Sequence, residues 1–225
     1  MAKNKSSASQ KSSRVLAKDV KAPKAVIFYG PPGSGKGTQA ALFQKAIGRG
    51  YSHFDTGSFI EKKINDPKAL QSPLIARQRK LFMSGKLCDS SWVISIIDDP
   101  IRDFSKEGQG LIFSGSPRTS SEAFGVKGKK GTVLLLEQYY SRENIIVFWF
   151  DIPVTESVKR NSLRGRPGLD EPSTIRVRCR EYKKMTLPIV KKMRERGIKI
   201  VKINARPKPS QISKEVLKKF KEFNK

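Results

Sequence analysis

Ala25–Tyr29 (AVIFY), an unbroken apolar run, leads directly into Gly30-Pro31-Pro32-Gly33-Ser34-Gly35-Lys36-Gly37-Thr38. The stretch beyond it carries Ala40, Phe43 and Ile47 on one helical face. A short run that is apolar throughout reads as a strand buried on both sides. A glycine-rich loop between such a strand and a helix lets successive backbone N–H groups turn inward on an anion, and the helix N-terminus adds its positive end. Here Gly33, Ser34, Gly35 and Gly37 shape the cradle. Lys36 sets a point charge against the β and γ phosphates of a nucleotide, and the Thr38 hydroxyl is placed for Mg2+.

Later apolar runs end in the same manner. Leu111–Phe113 stops at Ser114-Gly115, Ile145–Phe150 at Asp151, and Ile198–Ile203 at Asn204. Between them lie helical patterns over Ser90–Phe104, Thr132–Tyr140, Thr155–Leu163 and Ser173–Arg196. A last helix, N-capped by Ser210, turns Ile212, Val216, Phe220 and Phe223 inward. Strands alternating with helices predict a three-layer α/β fold with a parallel sheet covered on both faces. From Thr56 to Asp89 no strand-like run occurs, which predicts a small helical insert. Residues 125–131 (GVKGKKG) read as a flexible basic loop.

The 225 residues hold 46 Lys and Arg against 20 Asp and Glu, a net charge of +26 that demands an anionic partner. Residues 1–24 carry 7 basic and 1 acidic residue and are too polar to order themselves, so a disordered basic tail is expected there. Residues 206–225 form a C-terminal basic helix packed on the core. With both ends set aside, +15 remains on residues 25–205. Cys88 and Cys179 stand far apart with His53 as the single histidine, which excludes a disulfide framework and leaves no zinc site. No apolar run is long enough to span a membrane, and the N-terminus has no secretory apolar region. A cytoplasmic monomer is the expectation.

The loop GPPGSGKGTQA, with glycine directly after the lysine and the hydroxyl one place later, resembles that of adenylate kinases and related nucleoside monophosphate kinases. The resemblance runs from about residue 25 to 205. The segment HFDTGS at 53–58 is similar to the one that opens the family's monophosphate-binding insert, about 56–89, and Gly85-Lys86-Leu87 to the stretch that closes it. Ser114-Gly115-Ser116-Pro117-Arg118-Thr119 is similar to the family's Asp-Gly-Phe-Pro-Arg-Thr. Arg160, Arg164 and Arg166, with Asp170 and then Arg178, look like a short metal-free lid at about 160–172.

What the resemblance implies is a P-loop fold with strand order 2-3-1-4-5 and transfer of the γ-phosphoryl group of MgATP to a nucleoside monophosphate, AMP ranking first. It places ATP on the phosphate loop with Arg160 and Arg164. It places the monophosphate among Thr56, Gly57, Lys86, Leu87, Cys88, Gly115, Arg118, Glu122, Arg166 and Arg178. Lys36 and the arginines at 118, 160, 164, 166 and 178 would be catalytic. Converging cations suit this chemistry, because the transition state spreads charge over the moving group and needs no covalent nucleophile.

Three positions depart from the family pattern. The Asp that organises Mg2+ through water is Ser114, a weaker neutral ligand, and Asp151 at the end of the next strand is the expected partial substitute. The arginine four residues after Gly57 is Glu61. The glutamine four residues after Arg118 is Glu122, which when ionised only accepts hydrogen bonds and so suits the guanine edge. Thr56 instead follows the adenine-type version of its segment. These departures sustain a rival reading, a catalytically weakened nucleotide-binding or regulatory protein on the same scaffold that contacts RNA through its basic tails.

Overall fold

The computed structural model describes residues 23–225. The expected basic tail lies outside the described residues except for Pro23 and Lys24. Lys24 is already tied to the sheet, its carbonyl accepting from Leu111 N at 3.0 Å.

Five parallel strands form one sheet: β1 (Ala25–Tyr29), β2 (Tyr51–Asp55), β3 (Gly110–Ser114), β4 (Ile145–Asp151) and β5 (Lys199–Asn204), in the order β2-β3-β1-β4-β5. Each strand sends alternate residues to opposite faces. Ala25, Ile27 and Tyr29 therefore join one core, with Leu111, Phe113 and Val147. Val26 and Phe28 join the other, with Ile112, Ile146, Phe148 and Phe150. Burial on both faces accounts for the unbroken apolar runs at β1, β3 and β4. β2 is an edge strand in which only Phe54 is buried, so it left no such run.

The second core is covered by α1 (Lys36–Ile47) and α10 (Pro209–Phe223), which meet where Phe43 and Phe220 pack edge-to-face at 4.9 Å. α10 starts at Pro209, with Lys208 rather than Ser210 in the N-cap position, because proline's fixed φ and missing N–H suit the first helical residue. The other core is covered by α4 (Ser90–Lys106), α6 (Thr132–Tyr140) and α9 (Leu187–Glu195). α2 (Thr56–Ile64) and α3 (Pro73–Met83) form the helical insert. α5 (Ser120–Phe124) is a single short turn. Residues 125–131 are not open loop throughout: Val126 and Lys129 exchange two backbone hydrogen bonds, at 3.1 and 2.9 Å.

The long helix expected over Ser173–Arg196 is interrupted. α7 (Val154–Arg164) is followed by α8 (Pro172–Glu181), then a π-helical segment at Tyr182–Thr186, then α9. Pro188 has no N–H for the carbonyl four residues earlier and crowds it, so the backbone widens there while the apolar face continues.

Candidate active site

In an all-parallel sheet every strand points its C-terminal end the same way, so the loops after β1, β2 and β3 meet at one edge. They line a cleft of about 730 Å³ that is closed on its far side by α7, α8 and the start of α10.

The phosphate loop forms one wall. Gly35 adopts a left-handed conformation as the N-cap of α1, which has no side-chain cap and no acidic residue in its first turn. The helix's first N–H groups are thereby left to an anion. Gly33 is required by contact: at φ +74° an added Cβ would lie 2.4 Å from Asn161 Nδ2 and 2.8 Å from the Ser157 carbonyl. Lys36 donates to the carbonyls of Gly30 and Pro31 at 2.8 Å each. Its ammonium is pushed down to about 7 by burial first, then by Arg118 and Arg178.

Arg118 is fixed by its own backbone. Its N–H donates to Glu122 Oε2 at 2.7 Å, its carbonyl accepts from Thr186 Oγ1 at 2.8 Å, and its Nε–H donates to the Gly115 carbonyl at 2.6 Å. Its Nη atoms have no hydrogen-bond partner among the described residues, and the side chain lines the cleft.

Asp170 gathers three arginines. Its carboxylate is buried and accepts from Arg164 Nε and Nη2 at 2.8 and 2.7 Å, from the Arg166 backbone at 3.0 Å, and from Arg178 Nη1 at 3.3 Å. Burial alone would raise this carboxyl, but the hydrogen bonds from Arg164 and Arg166 outweigh it and hold it well below the usual range. Arg160 lines the cleft but binds Glu156 at 2.6 Å and the carbonyls of Ala205 and Arg206 at 2.8 and 3.1 Å. It thereby anchors the segment whose Arg206, Pro207 and Lys208 also face the cleft.

Beside Arg118 a small recess is lined by Thr56, Lys86, Leu87, Cys88, Gly115 and Glu122. Thr56 Oγ1 is buried there without a hydrogen-bond partner. A buried, unpaired hydroxyl is costly unless a ligand completes it. Burial pushes the Cys88 thiol up to about 11, so it is an inert part of the wall.

The sequence profile of adenylate kinases matches residues 28–198. The chain belongs to the adenylate kinase family. The family's members are phosphotransferases. The adenylate kinase of Prochlorococcus marinus strain MIT 9515 is 33% identical over 167 residues, 74% of this chain and 82% of that protein. That of strain AS9601 is 31% identical over 197 residues, 88% of this chain and 98% of that protein. The Buchnera aphidicola (Cinara cedri) adenylate kinase is 27% identical over 215 residues.

Against that family pattern the departures take definite places. Asp151 does not line the cleft and pairs with Lys202 at 2.7 Å, so the expected substitution for the missing carboxylate is not what the structure builds. β1 stands between β3 and β4, which keeps Asp151 two strands from Ser114. Glu61 also lies off the cleft wall and opposes nothing there. Glu122 is buried and turns Oε2 to Ser116 Oγ, 3.1 Å, and to the Arg118 N–H. Asp55 and Arg206 on the cleft wall escaped the sequence reading, as did, off that wall, Asp170 as the organiser of three arginines. Asp170 had a legible signal, an acid standing among basic residues directly after a short glycine loop.

Proposed function

We propose that this chain catalyses the reversible transfer of the γ-phosphoryl group of MgATP to AMP, giving two ADP. Support comes chiefly from one arrangement: a phosphate loop, a recess holding the unpaired Thr56 hydroxyl, and Arg118 with unpartnered Nη atoms between them. ATP lies with its phosphates on the loop amides and Lys36, and AMP lies with its phosphate on Arg118 and its base toward the recess, which widens to admit it. An AMP phosphate oxygen attacks the γ phosphorus as the bond to the β–γ bridging oxygen breaks, and ADP leaves. Arg164, Arg166 and Arg178 exchange Asp170 for phosphate oxygens as the lid closes and water is excluded.

Mg2+ enters with ATP as part of the substrate. Among the described residues no group of three His, Cys, Asp or Glu could hold an ion, and the cleft offers sparse hard oxygen donors such as Thr38. Magnesium keeps most of its ligands as water and phosphate, so this donor set suits it.

Adenine is favoured over guanine because one oxygen of Glu122, the acceptor suited to guanine, is already engaged by Ser116 and Arg118. A coupled assay with MgATP and AMP, GMP, CMP or UMP tests this: AMP is expected as the best acceptor, and a preference for GMP would overturn the base assignment. The departures at Ser114 and Glu61 favour the rival binding protein. Nucleotide binding without turnover, with salt-sensitive RNA binding lost on deleting residues 1–24, would establish it.

A further inference from the structure

We propose that Asp55 supplies the carboxylate that positions the hydrated Mg2+ of ATP, taking over the task of the acid that Ser114 replaces. This rests on the phosphoryl-transfer reading above.

β2 and β3 run parallel in a register that sets Asp55 directly beside Ser114. A carboxylate lost from the end of β3 is therefore recovered at the same level on the neighbouring strand. The two side chains touch: Ser114 Oγ donates to Asp55 Oδ2 at 3.0 Å. Having given its proton away, that hydroxyl accepts from His53 Nε2 at 3.0 Å. The order His53, Ser114, Asp55 ends on the carboxylate, so Ser114 acts as a donor that orients Asp55.

The other oxygen, Oδ1, accepts from Ser58 N at 2.9 Å and caps α2. Both oxygens are thus located by the protein, and each keeps lone-pair capacity for a water molecule. Asp55 faces the same cleft as Lys36 and Thr38, and among the described residues lining that cleft it is the one carboxylate. The other charged residues lining it are arginines and lysines, so the strongest anionic acceptor for metal-bound water stands at this point. Outer-sphere carboxylates fix metal ligands by hydrogen bonding, and losing one typically costs about 10–100-fold in metal affinity.

The test reads metal binding apart from turnover. Binding of a fluorescent ATP analogue is titrated with Mg2+, and Mn2+ bound in the protein–ATP complex is counted by electron paramagnetic resonance. Asp55→Asn keeps an oxygen for the Ser58 N–H and removes the charge. It is expected to raise the half-saturating metal concentration about tenfold while metal-free nucleotide binding is retained. The exchange variant Asp55→Ser/Ser114→Asp is expected to return it to within about threefold of wild type. Unchanged metal dependence in Asp55→Asn overturns the assignment, as does a loss that the exchange variant fails to recover. A wild-type protein that binds ATP with metal dependence but transfers nothing overturns the functional reading and leaves the Asp55 assignment standing.

Discussion

The Thr186 hydroxyl donates to the main-chain carbonyl of Arg118 across 2.8 Å, joining the π-helical segment to the loop after β3. Tyr29 at the end of β1 steadies the same residue, its hydroxyl donating to the Thr186 carbonyl at 2.8 Å. Arg118 thus owes its position to a residue 68 places later in the chain. Thr186→Val keeps the shape and orphans the carbonyl, at a cost of about 1–2 kcal/mol. KM for AMP is expected to rise about tenfold with KM for ATP nearly unchanged, read from steady-state kinetics with each substrate varied.

Asp170 carries a pH signature. Its carboxyl is held below its unfolded value, so its contribution to stability is fully present above about pH 4 and is lost as pH falls through the folded value. Asp170→Asn leaves Arg164, Arg166 and Arg178 facing one another without a counter-charge. Because Arg164 is partly solvated, the loss belongs at the low end for a buried pair, about 3 kcal/mol at pH 7. Denaturant melts from pH 7 to pH 3 should show wild type losing stability below pH 4 more steeply than the variant.

Lys36 is poised near neutrality. With its ammonium pushed down to about 7 in the open cleft, the side chain is mostly neutral at pH 8. Phosphates favour the charged form, so binding MgATP at pH 8 is expected to draw in nearly one proton. Calorimetry in two buffers of different ionisation enthalpy measures that uptake. Lys36→Arg, always charged, should bind without it.

In the proposed AMP site, Glu122 is the residue expected to set how well adenine is held. Glu122→Gln keeps a carbonyl oxygen for the Ser116 hydroxyl and the Arg118 N–H and adds an NH2 that can donate to adenine N1. One added neutral hydrogen bond is worth about 1 kcal/mol, so KM for AMP is expected to fall about fivefold. A competition assay should show GMP unaffected or weaker.

Local patterns were legible and sheet-wide ones were not. The phosphate loop could be read because strand, glycines, lysine and helix follow one another within a single stretch of chain. β1, β3 and β4 could be read because burial on both faces makes their runs apolar throughout. β2 could not, since an edge strand with only Phe54 buried carries no such run, and its place came from resemblance. In sequence, the acid placed to replace the missing carboxylate is Asp151, which ends the next strand along the chain. The next strand in space is β2, because β1 intervenes between β3 and β4. Asp55 lies 59 residues before Ser114, and only the parallel register brings the two together. Likewise the continuous apolar face over Ser173–Arg196 concealed the π-helical segment at Tyr182–Thr186, where Pro188 makes the backbone widen while that face continues.

The central claim is tested most directly by phosphorus NMR of the full chain with Mg2+ and ADP as the only nucleotide. Resonances of ATP should grow together with AMP in equal amounts, and Lys36→Ala should stop their growth while leaving the fold intact. Unchanged ADP, or inorganic phosphate appearing in place of ATP and AMP, would contradict phosphoryl transfer between nucleotides in this cleft.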